Sequence, residues 1–134
     1  MTSRVFVTLV ALAVLPFSSA VAAQDQNRSP ERWQRLAREI LAELVAINTT
    51  DSEGDNTAAA EAMRRRLLAA GFPEEDVVVV EPMPRKGNLV ARLRGRDTGE
   101  KPILLLAHID VVEADPADWT LPPFELIERD GMFY

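Results

Sequence analysis

Cysteine is absent from the 134-residue sequence, and histidine occurs once, at His108. The lack of cysteine excludes disulfide bonds, zinc sites built from thiolates and cysteine nucleophiles. The sequence also lacks the Gly-x-Ser-x-Gly pattern that is typical of a serine hydrolase. Any metal site here must therefore combine His108 with carboxylates or with ligands from further sequence.

An excess of positive charge is lacking as well, because 21 acidic residues outweigh 15 lysines and arginines and give a formal charge of −6. A chain with this balance has no general attraction for phosphate backbones or anionic lipid. We therefore expect no nucleic-acid partner. Hydrophobic residues make up 47% of the chain, which is enough to build a globular core.

The first 23 residues have the layout of a secretory signal peptide. A short positive start ending at Arg4 precedes an apolar run from Val5 to Phe17, and small residues follow up to Ala23. The apolar run is shorter than the about 20 residues that a membrane-spanning helix needs. We predict cleavage after Ala23, which leaves a secreted or periplasmic protein with no membrane anchor.

Two amphipathic helices are predicted next. Ser29 caps the first, and apolar residues recur at helical spacing across Pro30–Ile47. The second begins after a cap at Asp55 or Asn56 and ends at Gly71. Its predicted inward face consists of Ala59, Ala62, Met63, Leu67 and Ala70.

Three β-strands are predicted after the helices, at Val77–Val80, Asn88–Leu93 and Ile103–Ala107. The third is wholly apolar, so we expect it to be buried on both faces. A long loop is predicted after Asp110. Two helices followed by three strands indicate an α/β or α+β layered fold.

The candidate for chemistry lies at the end of the third strand. The two-residue period of a strand places His108 and Asp110 on one face, at the carboxyl edge where open α/β sheets bind ligands. A neutral imidazole suits zinc, and a nearby carboxylate can orient it. Spacing alone nevertheless favours a histidine at the edge of the core, with Asp110 opening the next turn.

One short pattern contains this pair, Leu-Leu-Ala-His-Ile-Asp-Val-Val at 105–112, and three follow it. These are Asp-Trp at 118–119, Pro-Pro-Phe at 122–124 and Asp-Gly-Met-Phe-Tyr at 130–134. Together they resemble the His-x-Asp-Val-Val-Pro segment of the M20 metallopeptidase family. The two upstream helices and the strand at 88–93 are consistent with that family's N-terminal part. Glu113 stands where the family often has proline.

The resemblance implies an α/β fold, a partial α/β/α sandwich with a mixed sheet. It divides the chain into a signal peptide at 1–23 and the N-terminal part of a catalytic domain at 24–134, without the family's later metal ligands and catalytic base. By the same resemblance His108 is a zinc ligand and Asp110 the catalytic residue that supports a ligand. With too few ligands, the chain alone is expected to bind zinc weakly and to lack catalysis. Without the remaining strands it is expected to expose part of Ile103–Ala107.

The implied activity of the complete protein is zinc-dependent hydrolysis of amide bonds, with two zinc ions, in a small peptide or an N-acyl amino acid. The resemblance also implies a homodimer formed through a second domain. The alternative is a catalytically inactive exported module that binds a partner, which requires the aromatic end at 132–134 to pack against something.

Overall fold

A computed structural model describes residues 30–96 and 99–134, so the predicted signal peptide and the Ser29 cap lie outside the described residues. By its contacts the chain divides into two compact units, Met1–Ala37 and Arg38–Tyr134. Helices and small antiparallel sheets are both present, which confirms the α/β class and is compatible with part of a peptidase domain. The helices and strands are α1 (Pro30–Ala46), α2 (Asn56–Ala69), β1 (Val77–Val80), β2 (Asn88–Ala91), β3 (Glu128–Arg129) and β4 (Met132–Phe133).

Helix α1 begins at Pro30, as predicted, because a proline at the first helical position gives up no needed hydrogen bond. None of its residues is buried, so the apolar stripe of this predicted amphipathic helix contributes no buried core. Glu43 pairs with Arg66 of α2. No helix among residues 30–96 and 99–134 combines the length and the apolarity needed to cross a bilayer.

Helix α2 has the predicted signals at both ends. The Asp55 side chain accepts a hydrogen bond from the Ala58 amide at 2.9 Å and so caps the first turn. At the other end Gly71, with φ of 93°, closes a Schellman motif in which the Phe72 amide donates to the Leu67 carbonyl at 3.1 Å. Local side-chain chemistry therefore fixes where this helix begins and ends.

The core lies between α2 and an antiparallel hairpin of β1 and β2, in which Val77 pairs with Ala91 and Val80 with Asn88. One face of the hairpin packs on the helix, as the alternation of a strand requires: Val77 is buried and Val78 is exposed. Ala70 was predicted to face inward, but it is exposed and forms the C-cap of α2. The buried apolar residues are Ala59, Ala60, Ala62 and Val77.

The predicted strand Ile103–Ala107 does not form, and its expected burial on both faces is wrong. The side chains of residues 103–106 are 78–88% exposed, and the segment has no strand partner among the described residues. A central strand requires a neighbour on each side, because every backbone amide and carbonyl needs a partner. The exposure itself agrees with the expectation for a chain without the rest of a sheet.

The segment after Asp110 is more ordered than the predicted loop. It contains a 3₁₀ turn at Pro116–Asp118 and an antiparallel hairpin in which β3 pairs with β4. Asp130 and Gly131 both have positive φ, 53° and 75°, as a tight hairpin turn requires. The Asp-Gly pair was therefore a usable hairpin signal.

A buried carboxylate anchors the end of β2. Asp76 is 1% exposed, and both of its oxygens accept 2.7 Å hydrogen bonds from the Arg94 guanidinium. Its carbonyl accepts from the Arg92 amide at 2.8 Å. The hydrogen bonds from Arg94 hold the pKa of Asp76 below its usual value, although burial acts in the opposite direction.

This pair predicts a stability loss in acid. Because the folded pKa of Asp76 is depressed, its contribution is complete above the unfolded value of about 3.8 and is lost as pH falls through the lower folded value. Urea unfolding of the wild type should show this decline, and Asp76→Asn should show less of it. Arg94→Gln should cost more than Asp76→Asn at pH 7, since it leaves a buried charge unpaired. Equal acid sensitivity in all three proteins would contradict this role.

Candidate metal site

His108 and Asp110 come together although the predicted strand is absent. The His108 Nδ1 atom lies 3.0 Å from the Asp110 carbonyl oxygen and 3.3 Å from Asp110 Oδ1. Both side chains are open to solvent, at 85% and 66% exposure. The two residues are therefore in contact without the strand that was predicted to align them.

The contact selects one form of the imidazole. Both oxygens that face Nδ1 act as acceptors, so the geometry assigns the proton to Nδ1 and leaves the lone pair on Nε2. A histidine that binds zinc commonly donates its other ring N–H to a carboxylate or a carbonyl in this manner. The donor chemistry of His108 thus fits a zinc ligand, with Asp110 as its support.

The stretch that follows His108 lies along the loop between α1 and α2, residues 48–55, which we call the supporting loop. Thr49 Oγ1 donates to the Ile109 carbonyl at 2.8 Å, and the Val111 amide donates to the Thr49 carbonyl at 3.4 Å. The Ser52 amide donates to Glu113 Oε1 at 3.0 Å. These bonds connect parts of the chain that are about 60 residues apart in sequence.

The supporting loop is closed by its own main chain. Thr49 and Thr50 are each 2% exposed, which is rare for a polar loop. The Asp55 amide donates to the Asn48 carbonyl at 2.8 Å, and the Gly54 amide donates to the Thr50 carbonyl at 3.1 Å. The two ends of the loop are therefore tied together, and the loop can serve as a fixed platform.

The turn between β1 and β2 holds this loop from a second side. Arg85, at φ of 65°, donates through its guanidinium to the Glu53 carbonyl at 2.9 Å. Lys86 Nζ lies 2.7 Å from Asp51 Oδ1 and donates to the Asp51 carbonyl at 3.1 Å. The hydrogen bond and charge of Lys86 lower the pKa of Asp51.

An open cleft of about 690 Å³ lies beside the His108 ring. The Ser52 amide, as hydrogen-bond donor, lowers the pKa of Glu113. Asp51 and Glu113 are therefore anionic at neutral pH, and the Asp51 charge is paired with Lys86 at 2.7 Å. The lining residues are Asp51, His108, Asp110, Val111, Val112 and Glu113.

The part of the chain that the structure describes does not contain a full set of metal ligands. No group of three or more histidine, aspartate or glutamate side chains in it is placed to hold one ion. A zinc site needs about four ligands, of which at least three come from protein. His108 fits as one such ligand, and the described residues do not bring two more beside it.

The sequence indicated the pair but not what holds it. Glu113 was noted only as a departure from proline, and the loop at 48–55 was not connected with the pair. The usable signal was the run Asn48-Thr49-Thr50-Asp51-Ser52, because such side chains commonly bond to nearby backbone and order a loop. Its contact with residues 109–113 has no local signature.

Comparison with curated proteins finds two groups of relatives, N-fatty-acyl-amino acid synthase/hydrolases and acetylornithine deacetylases. No family model matches the chain, and no solved structure matches it significantly. These relatives are M20 amidohydrolases, so the resemblance to the M20 family is confirmed for the segment that this chain contains.

The individual relatives show how much of such a protein is present. The chain is 50% identical to the N-fatty-acyl-amino acid synthase/hydrolase PM20D1 of Bos taurus, across 94% of this chain and 27% of that protein. Its identity to the Xenopus tropicalis PM20D1 is 51%, across 96% and 27%. With the acetylornithine deacetylase of Vibrio vulnificus (strain CMCP6) it is 36% identical, across 70% and 24%. The chain thus spans about a quarter of the length of these relatives.

The supporting loop makes a prediction about Gly54. A Cβ atom there would lie 2.2 Å from the Thr50 nitrogen and 2.4 Å from the Thr50 carbonyl oxygen, so Gly54→Ala must open the loop. We expect a loss of about 2–4 kcal/mol in the free energy of unfolding, measured by urea titration.

Gly71→Ala is the matched control for that substitution. Nothing lies within 4 Å of a Cβ at Gly71, so this variant bears only the strain of a left-handed residue at φ of 93°. That strain costs about 1–2 kcal/mol. If Gly54→Ala cost no more than Gly71→Ala, the close approach in the supporting loop would not be a constraint on the fold.

Proposed function

We propose that this chain forms part of an exported zinc-dependent M20 amidohydrolase that cleaves the amide C–N bond of N-acyl amino acids or small peptides. The observation that carries the proposal is the His108 ring, which Asp110 holds by Nδ1 so that Nε2 retains its lone pair beside an acidic cleft. The relatives support the reaction class, because their names describe a hydrolase and a deacetylase of acylated amino acids.

The residues of this chain have distinct roles in that proposal. His108 would hold zinc through Nε2, and Asp110 fixes the ring by accepting a hydrogen bond from Nδ1–H. Zinc, when bound, supplies Lewis acidity that activates water and polarises the amide carbonyl.

Export and substrate class follow from separate observations. Residues 1–23 have the composition of a secretory signal, which supports an exported protein. The relatives are named for N-fatty-acyl amino acids and for acetylornithine, and these compounds share an amide between an acyl group and an amino-acid nitrogen. Addition of water across that bond gives a carboxylate and a free amine.

A second candidate is an exported binding module without catalytic activity. The observation that favours it is the apolar run at residues 103–106, whose side chains are 78–88% exposed and available to a partner. The two candidates differ in what zinc does, because a binding module has no metal-dependent turnover. An assay for hydrolysis with and without bound zinc separates them.

His108→Ala in the complete protein should lower zinc content and reduce kcat/KM for an N-acyl amino acid by about 10³-fold or more, because a zinc site tolerates the loss of a ligand poorly. Asp110→Asn should reduce kcat by about 10–100-fold with a smaller loss of zinc, since it weakens only the support of the ring. Zinc is measured by mass spectrometry of the dialysed protein, and activity by release of the free amine.

Glu125→Gln, at an exposed carboxylate further along the same segment, serves as the control and should match the wild type. Removal of zinc by a chelator should abolish turnover, and added zinc should restore it. A His108→Ala protein with wild-type zinc content and wild-type turnover would rule out the assignment. A wild-type protein that binds no zinc and hydrolyses no amide would favour the binding module.

A further inference from the structure

The stretch from Ile109 to Glu113 has little apolar packing to hold it. Val111 is 47% exposed and Val112 is 86% exposed, and no strand of the described chain pairs with this stretch. Its position therefore depends on the hydrogen bonds to the supporting loop, because an exposed chain without packing or pairing opens easily. Whatever weakens those bonds also frees the neighbouring His108 and Asp110.

The bonds to the supporting loop differ in strength. The bond from Thr49 Oγ1 to the Ile109 carbonyl, at 2.8 Å, is short, whereas the bond from the Val111 amide to the Thr49 carbonyl, at 3.4 Å, is near the limit for a hydrogen bond. The Ser52 amide donates to a Glu113 carboxylate oxygen at 3.0 Å, and such charge-assisted bonds are stronger than neutral ones. Glu113 therefore holds the far end of the stretch.

The charge on Glu113 is compatible with its surroundings because a neighbouring charge is neutralised. Asp51 lies in the same cleft and opposes a second anion there. Lys86 pairs with Asp51 at 2.7 Å and so reduces that repulsion. The turn that carries Lys86 thus supports both sides of the contact, through Asp51 directly and through Glu113 indirectly.

We propose that Glu113 is a positioning residue for the His108–Asp110 pair. By accepting the Ser52 amide it fixes the main chain after Asp110 against the supporting loop, and so sets the direction in which the His108 ring enters the cleft. A side-chain hydrogen bond thus restricts the main chain at this point. The effect on catalysis rests on the proposed function, whereas the effect on the main chain does not.

Amide hydrogen exchange of the full-length protein tests the main-chain part. Glu113→Ala should raise exchange in peptides covering 48–55 and 108–114 by about fivefold or more, as expected from the loss of a local hydrogen bond. Glu113→Gln should stay within about twofold of the wild type, because its amide oxygen can still accept from Ser52. Glu125→Ala, at an exposed carboxylate, is the matched control and should exchange as the wild type does.

Kinetics and zinc binding test the positioning part on the same proteins. We expect Glu113→Ala to lower kcat by about tenfold and zinc affinity by a similar factor, with a smaller change in KM, and Glu113→Gln to restore most of both. A purely structural role would change exchange and leave kcat and zinc affinity as they are, and that result would overturn the proposal.

Two further outcomes also test the positioning role of Glu113. Unchanged exchange in Glu113→Ala, or equally fast exchange in Glu113→Gln, would show that the acceptor oxygen does not hold the main chain. If the wild type hydrolysed no amide but exchange responded as expected, the proposed function would fail while the contact between Glu113 and Ser52 stood. The experiment therefore separates failure of the positioning role from failure of the proposed function.

Discussion

The constraint on which the rest of this structure depends is the close approach of the main chain at Gly54 to that at Thr50. No side chain fits between them, so the loop can fold back and join the Asn48 carbonyl to the Asp55 amide at 2.8 Å. With the loop closed, Asp55 caps α2, and the Thr49 side chain and carbonyl both face residues 109–111. The helix cap and the site platform are thus two results of one backbone contact.

Hydrogen bonds to backbone, rather than apolar burial, give the site region its order. Among residues 30–96 and 99–134, the buried apolar core consists of three alanines of α2 and Val77, which together contribute little side-chain area. Around the supporting loop, by contrast, Arg85 and Lys86 bond to loop carbonyls, and Glu113 bonds to a loop amide. Bonds to fixed main-chain groups hold position better than exposed pairs of long side chains, whose free energy is small. The order of this region therefore comes from directional hydrogen bonds more than from tight packing.

The sequence predicted features that depend on residues close together in the chain, and it did not predict features that depend on distant segments. The ends of α1 and α2 depend on residues within a turn of each other, such as Asp55 and Gly71, and both ends were predicted. The strand at Ile103–Ala107 depends on neighbours that the pattern of the segment cannot supply, so its apolar run indicated burial that does not occur. The site shows the same division. His108 and Asp110 are near neighbours in sequence and lie in contact, although the strand predicted to align them does not form. Their support comes from a loop about 60 residues earlier, which no local pattern specifies.

Under the proposed function, the exposed apolar run and the incomplete ligand set have one cause. The side chains at 103–106 need flanking strands, and His108 needs further metal ligands. If both come from the remaining three quarters of an M20 protein, zinc joins the stretch after residue 103 to segments far away in sequence. Metal binding then contributes directly to folding. Because the complete set of ligands exists only in the native state, the free energy of zinc binding stabilises that state. The supporting loop, which forms from this chain alone, would give that assembly a fixed starting point.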